Sequence, residues 1–287
     1  MNNYKIKFAD GLAVILLLLS YLAPFFANQI KVNTNVLTML VNCYIIAYLA
    51  YNISFTETKK VALLALPLLI YSVFLIFYTN GFNVEVNKYL LNDINYLIVN
   101  FFDVIFVVFA FFIIELILSR IFGTRITSFI ALLAIVLYFV MQNTSLIPFN
   151  FYYQDLLIYF AYYVLATRIN PANSINIYLY PLAFILLAGE IYLVYTKNFY
   201  LGIYFSMFIL TYIVLKGDKT ADQTTFGKYL NLAYLYPYKV IYILLENTIK
   251  STPLITTIIA ILSTYIISQL VYRLRLKILD YIYVGVH

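Results

Sequence analysis

Residues 96–141 read YLIVNFFDVIFVVFAFFIIELIL (96–118), SRIFGTR (119–125) and ITSFIALLAIVLYFVM (126–141). The outer two segments are apolar on every face, and the short link carries Arg120 and Arg125. A membrane-spanning helix needs about 20 apolar residues, with a range of about 17–25. A barrel strand would alternate polar and apolar positions over about ten residues, and these runs do not. Since only helices and closed barrels satisfy their backbone groups in lipid, the stretch reads as two helical spans joined by a basic link.

The same reading extends outward in both directions. Further apolar stretches cover residues 12–27, 35–53, 61–78, 149–167, 175–195, 200–215, 229–245 and 254–272. The predicted fold is therefore all-α, a polytopic transmembrane helical bundle of about ten spans forming one integral membrane domain over residues 1–287. Hydrophobic residues make up 64% of the chain and charged residues 10%. A soluble domain carries about 25% charged residues, so this chain cannot build a water-facing surface. The longest connections, about residues 79–95 and 216–228, leave no room for a soluble domain. The first could include a short helix in the outer interface, and the second reads as a cytoplasmic loop.

Orientation follows from lysine and arginine. With the N-terminus inside, thirteen lie on the inner side, four on the outer side, and Lys239 lies within the ninth span. Such a positive-inside bias supports an even number of spans with both termini cytoplasmic. The net charge of +6 is a topology signal, and nucleic acid is not an expected partner. Lys5 and Lys7 before the first apolar run also suit a signal peptide. The residues near Ala27 make a poor cleavage site, so an uncleaved first span is expected.

Several chemistries are excluded. Cys43 is the single cysteine and His287 the single histidine, at the last position. No intramolecular disulfide, bis-histidine haem or Cys/His metal site can form from this set. Trp is absent and Tyr numbers 31, so tyrosine must supply the interfacial aromatic belt. Pro24, Pro67, Pro181 and Pro237 lie in or near spans, where each can kink its helix. No internal repeat is visible, which counts against the usual transporter pattern.

Ionisable side chains inside a bilayer are costly and are functional candidates by default. They are Asp103, Glu115, Asp155, Glu190, Lys239 and Glu246, with Asp10 at the inner mouth of the first span. Asp155 and Glu246 are expected to reach headgroup water, and Glu115 to snorkel to the cytoplasmic interface. A mid-depth lysine needs a carboxylate or must be neutral. Lys239 is therefore expected to pair with Glu190 or Asp103. Tyr234, Tyr236, Tyr238 and Tyr242 surround Lys239, while Tyr159, Tyr162 and Tyr163 crowd the sixth span.

Three places resemble the membrane-bound acyltransferase 3 family, which is similar to surface-polysaccharide O-acetyltransferases. Near the start, Asp10, Gly11 and Leu12 match the family's first-span opening; late in the chain, Gly227, Lys228 and Tyr229 precede Tyr234 and Leu235 as in the family's later pattern. The basic run after Val271 matches the family's last helix. The family's arginine position holds Ala13, and its two histidines would fall near Pro24 and near Tyr236 or Pro237. The resemblance implies ten spans and transfer of an acyl group from cytoplasmic acyl-CoA to a surface glycan or lipid, with no bound cofactor and no metal. Without histidine, Asp103 or Glu190 would act as base, and Lys239 or a tyrosine would steady the oxyanion. The alternatives are an inactive relative serving as a scaffold or subunit of a membrane complex, and a transporter or lipid-moving protein. A redox subunit ranks below both. The expected location is the cell membrane, multi-pass.

Overall fold

The computed structural model describes residues 8–30, 34–54, 105–143, 155–169, 201–217, 238–248 and 252–273, with fragments of 181–188. Among the described residues no strand occurs. Seven helices are defined among the described residues: α1 (Phe8–Ile30), α2 (Thr34–Ser54), α3 (Ile105–Asn143), α4 (Asp155–Thr167), α5 (Leu201–Gly217), α6 (Tyr238–Thr248) and α7 (Pro253–Arg273). Two of them, α3 and α7, are long and apolar enough to cross a membrane by length and composition. The apolar runs at 61–78 and 175–195 lie wholly or largely outside the described residues.

The local starts and stops have simple causes. Pro253 opens α7 where its missing N–H costs nothing, and Thr256 N donates to the Thr252 carbonyl at 3.0 Å to close the first turn. Asp155 sits in the first turn of α4, where the helix dipole favours negative charge. That helix ends in tightened turns, with Arg168 N donating to Leu165 O and Ile169 N to Ala166 O, each at 3.1 Å. Pro24 lies within α1, which stays helical through it.

A straight helix the length of α3 would extend about 58 Å at about 1.5 Å per residue, far beyond a bilayer core of about 30 Å. The helix breaks instead at Gly123, whose φ of 80° and ψ of 162° are non-helical. On the first limb, Phe111 packs on Phe160 and Tyr163 of α4. On the second, Tyr138 Oη donates to Met39 Sδ of α2 at 3.5 Å. One turn along α2 from Met39, Asn42 Nδ2 donates to Tyr159 Oη of α4 at 3.3 Å. Both limbs therefore return to the same α2–α4 pair, and the chain doubles back at Gly123. Each limb is about 27–30 Å long. The break falls inside the link at 119–125 that separates the two apolar runs in sequence.

The core centres on α2 and α4. Cys43, Ile46, Ala47 and Ala50 of α2 and Ala161, Tyr163, Val164 and Ala166 of α4 are fully buried. The small residues let the two backbones approach closely, as helices do where dispersion rather than water exclusion drives packing. On the far side of α4, Tyr162 meets Phe208 of α5 edge to face at 5.4 Å. A second, smaller cluster joins α6 and α7 through Tyr238, Ile241 and Ala260, with Tyr21 of α1 packed against it.

Helix α7 has an inverted pattern. Thr257, Ala260, Thr264 and Ser268 are buried, while Ile255, Ile258, Leu262 and Ile266 are exposed. This is the reverse of a surface helix in water, which turns its apolar stripe inward. The inward hydroxyl of Thr264 donates to its own helix at Ala260 O, 2.6 Å away. Helix α3 is likewise mostly exposed, with Ile114, Ile117, Phe129, Leu132 and Val136 all facing out. Neither helix is mostly buried.

Candidate functional site

Three groups of polar side chains stand out among the described residues. The first is where the first limb of α3 meets the end of α4. Arg168 Nη2 donates to Glu115 Oε1 at 2.6 Å, and Thr167 Oγ1 approaches the same oxygen at 3.5 Å. The Glu115 side chain is 14% exposed and the Arg168 side chain 32%. Glu115, which the sequence suggests can snorkel to the cytoplasmic interface, is largely covered and engages a cation across two helices. Its position on α3 and that of Arg168 at the C-terminal end of α4 make the pairing possible, because the first limb and α4 run in the same direction. Phe111 meets Phe160 and Tyr163, and four residues later Glu115 meets Thr167 and Arg168.

Tyr163 stands one turn before Thr167 on α4. It is 0% exposed, and its hydroxyl has no hydrogen-bond partner. It lies within electrostatic reach of both Glu115 and Arg168. A phenol in this state either costs stability or waits for a partner.

The second place is the opposite end of the α2–α4 pair. Asn42 bonds Tyr159 there, and Asp155, half-buried, lies within electrostatic reach of the Cys43 thiol. Cys43 is fully buried as a free thiol.

The third place is the small cluster around α6. Tyr238 stacks on Tyr21 with centroids 4.0 Å apart and planes at 19°. It also approaches Tyr242 at 6.0 Å and lies near Thr257 of α7. Glu246 is exposed at the other end of the helix. Lys239 is the residue after Tyr238, in the first turn of α6.

The sequence-derived site residues are only partly on view. Asp103 and Glu190 lie outside the described residues, so the pairing expected of Lys239 lies outside them too. Of the motif matches, Asp10, Gly11 and Leu12 fall in α1, with Leu12 packed against the core. Gly227, Lys228, Tyr229, Tyr234 and Leu235 lie outside the described residues. Among the described residues, no three His, Cys, Asp or Glu side chains are grouped so as to hold a metal ion. Sequence reasoning missed the contact of Glu115 with Arg168. The signal was present, since both residues fall near the C-terminal ends of their apolar runs and carry opposite charge. No protein family, curated protein or solved structure matches the chain.

Proposed function

We propose that the chain is a multi-pass protein of the cell membrane, with ten spans and both termini in the cytoplasm. One observation carries this reading furthest: the first limb of α3 and α4 are parallel, with Glu115 bonded to Arg168 at their shared end. Ten alternating spans require the fourth and sixth to run in the same direction. They also require the chain to reverse between the fourth and fifth, where Gly123 breaks the helix. The outward apolar faces of α3 and α7 suit a lipid solvent.

Within that frame we assign the chain an acyltransferase-3-like activity, moving an acyl group from acyl-CoA to a surface glycan or lipid. Asp103 or Glu190 would take the proton from the acceptor hydroxyl as its oxygen attacks the thioester carbonyl. Lys239 would steady the oxyanion, and the carbon–sulfur bond would then break to release CoA. The motif residues Asp10, Gly11, Leu12, Gly227, Lys228, Tyr229, Tyr234 and Leu235 support this assignment. A second reading, an inactive relative acting as a scaffold in a membrane complex, is favoured by one fact: the single histidine is His287.

Calorimetric titration of acyl-CoA into the protein in nanodiscs, with free CoA as control, separates the two. Saturable binding that depends on the acyl group, and turnover lost in Glu190→Gln and Lys239→Met, supports the enzyme. Folded protein that binds no acyl-CoA and purifies with other subunits supports the scaffold.

A further inference from the structure

The tip of the α3 hairpin combines features that neither the core nor an acyl-transfer site uses. Arg120 and Arg125 flank Gly123 and are both exposed. Among the described residues neither has an ion-pair partner, and the nearest acid along the helix, Glu115, is already engaged by Arg168. Around them the exposed residues are large and apolar: Ile121 is 66% exposed, Phe122 50% and Ile126 50%. In water such a tip would be an aggregation hazard. At a bilayer interface each part has a place, with apolar side chains among acyl chains and guanidinium forks at the phosphates, which they match in a bidentate way.

We propose that this tip seats the headgroup of an anionic phospholipid. Arg120 and Arg125 hold its phosphate from the two sides of the turn, and Ile121, Phe122 and Ile126 pack along its acyl chains. The positive φ of Gly123 lets the turn be short enough to bring both arginines to one end of the hairpin. The occupant is set by charge: two unpaired cations beside an apolar surface call for an anion that carries hydrocarbon, which excludes free phosphate and neutral lipid alike. The inference rests on the membrane-spanning reading above.

The test uses the full chain reconstituted in phosphatidylcholine nanodiscs doped with phosphatidylglycerol. The lipids that stay bound on release are counted by native mass spectrometry. Two basic groups near the surface predict enrichment of phosphatidylglycerol over phosphatidylcholine on the order of ten-fold or more. Arg120→Gln with Arg125→Gln should bring the ratio close to one. The Lys pair, R120K with R125K, should keep part of the enrichment, because charge remains while the bidentate fork is lost. Burial of Cys43 against a thiol dye shows that each variant is folded. Enrichment unchanged in the Gln pair overturns the proposal, as does displacement of the lipid by inorganic phosphate. Folded protein in bilayers with no enrichment overturns this inference alone. A chain that fails to insert in any bilayer overturns the membrane reading and this one with it.

Discussion

Replacing Gly123 with alanine isolates a single backbone conformation. A Cβ added there meets nothing within 4 Å, yet φ is +80°, so the cost is conformational and not steric. Holding a non-glycine residue in such a region costs about 1–3 kcal/mol. Gly11 provides the control, since a Cβ there also meets nothing within 4 Å and its φ is not positive. In a helix, exchanging glycine for alanine stabilises by about 0.5–1 kcal/mol. The two substitutions are chemically identical, and only the backbone differs. At about 2–4 °C per kcal/mol for a large domain, Gly123→Ala should lower Tm by about 2–12 °C, while Gly11→Ala should leave it level or raise it. The chain has no tryptophan, so a maleimide dye that fluoresces on reaching buried Cys43 is the practical readout. Equal Tm values for the two variants would refute the hairpin, because a straight α3 has no need of glycine at that position.

Three further predictions rest on named contacts. A double-mutant cycle on Glu115→Gln and Arg168→Met should return a coupling of about 1 kcal/mol, kept modest because Arg168 is partly solvent-exposed; a coupling of zero would make the 2.6 Å contact idle. Tyr163→Phe removes a buried hydroxyl that has no partner, and relief of a cost of about 1–3 kcal/mol should leave Tm unchanged or raise it; a clear fall would mean the hydroxyl is engaged. Ala161→Leu, at a fully buried site on α4, should destabilise by about 1–3 kcal/mol through overpacking, read as faster dye capture at Cys43; capture at the wild-type rate would place α4 outside the core.

The helices were legible in the sequence where composition alone decides them. Residues 12–27, 35–53, 200–215 and 254–272 correspond to α1, α2, α5 and α7 within a few residues at most boundaries. The reason is that an apolar run of this length has few other stable states. The link at 119–125 was legible as a separation because it carries Arg120 and Arg125. The conformation that makes the reversal, a positive φ at Gly123, has no signature beyond the residue type.

Side-chain partners were harder to read. Position along a span indicates depth but not which way a residue faces. Glu115 was therefore placed near the inner interface, while its pairing with Arg168 depended on α3 and α4 being neighbours, which nothing in either run encodes. The same limit applies to tyrosine. Tyr163 and Tyr159 lie four residues apart on α4, yet Tyr159 accepts a hydrogen bond from Asn42 while the Tyr163 hydroxyl is unpartnered. The difference is set by what α2 and α3 present to each.

The central claim is the alternating topology, and sided labelling tests it most directly. On a Cys43→Ala background, single cysteines at Lys59, Thr124 and Lys216 should react only with reagent supplied to the cytoplasmic side. Cysteines at Lys88, Lys197 and Lys250 should react only from outside. Labelling of Thr124 and Lys88 from the same side would contradict the ten-span account.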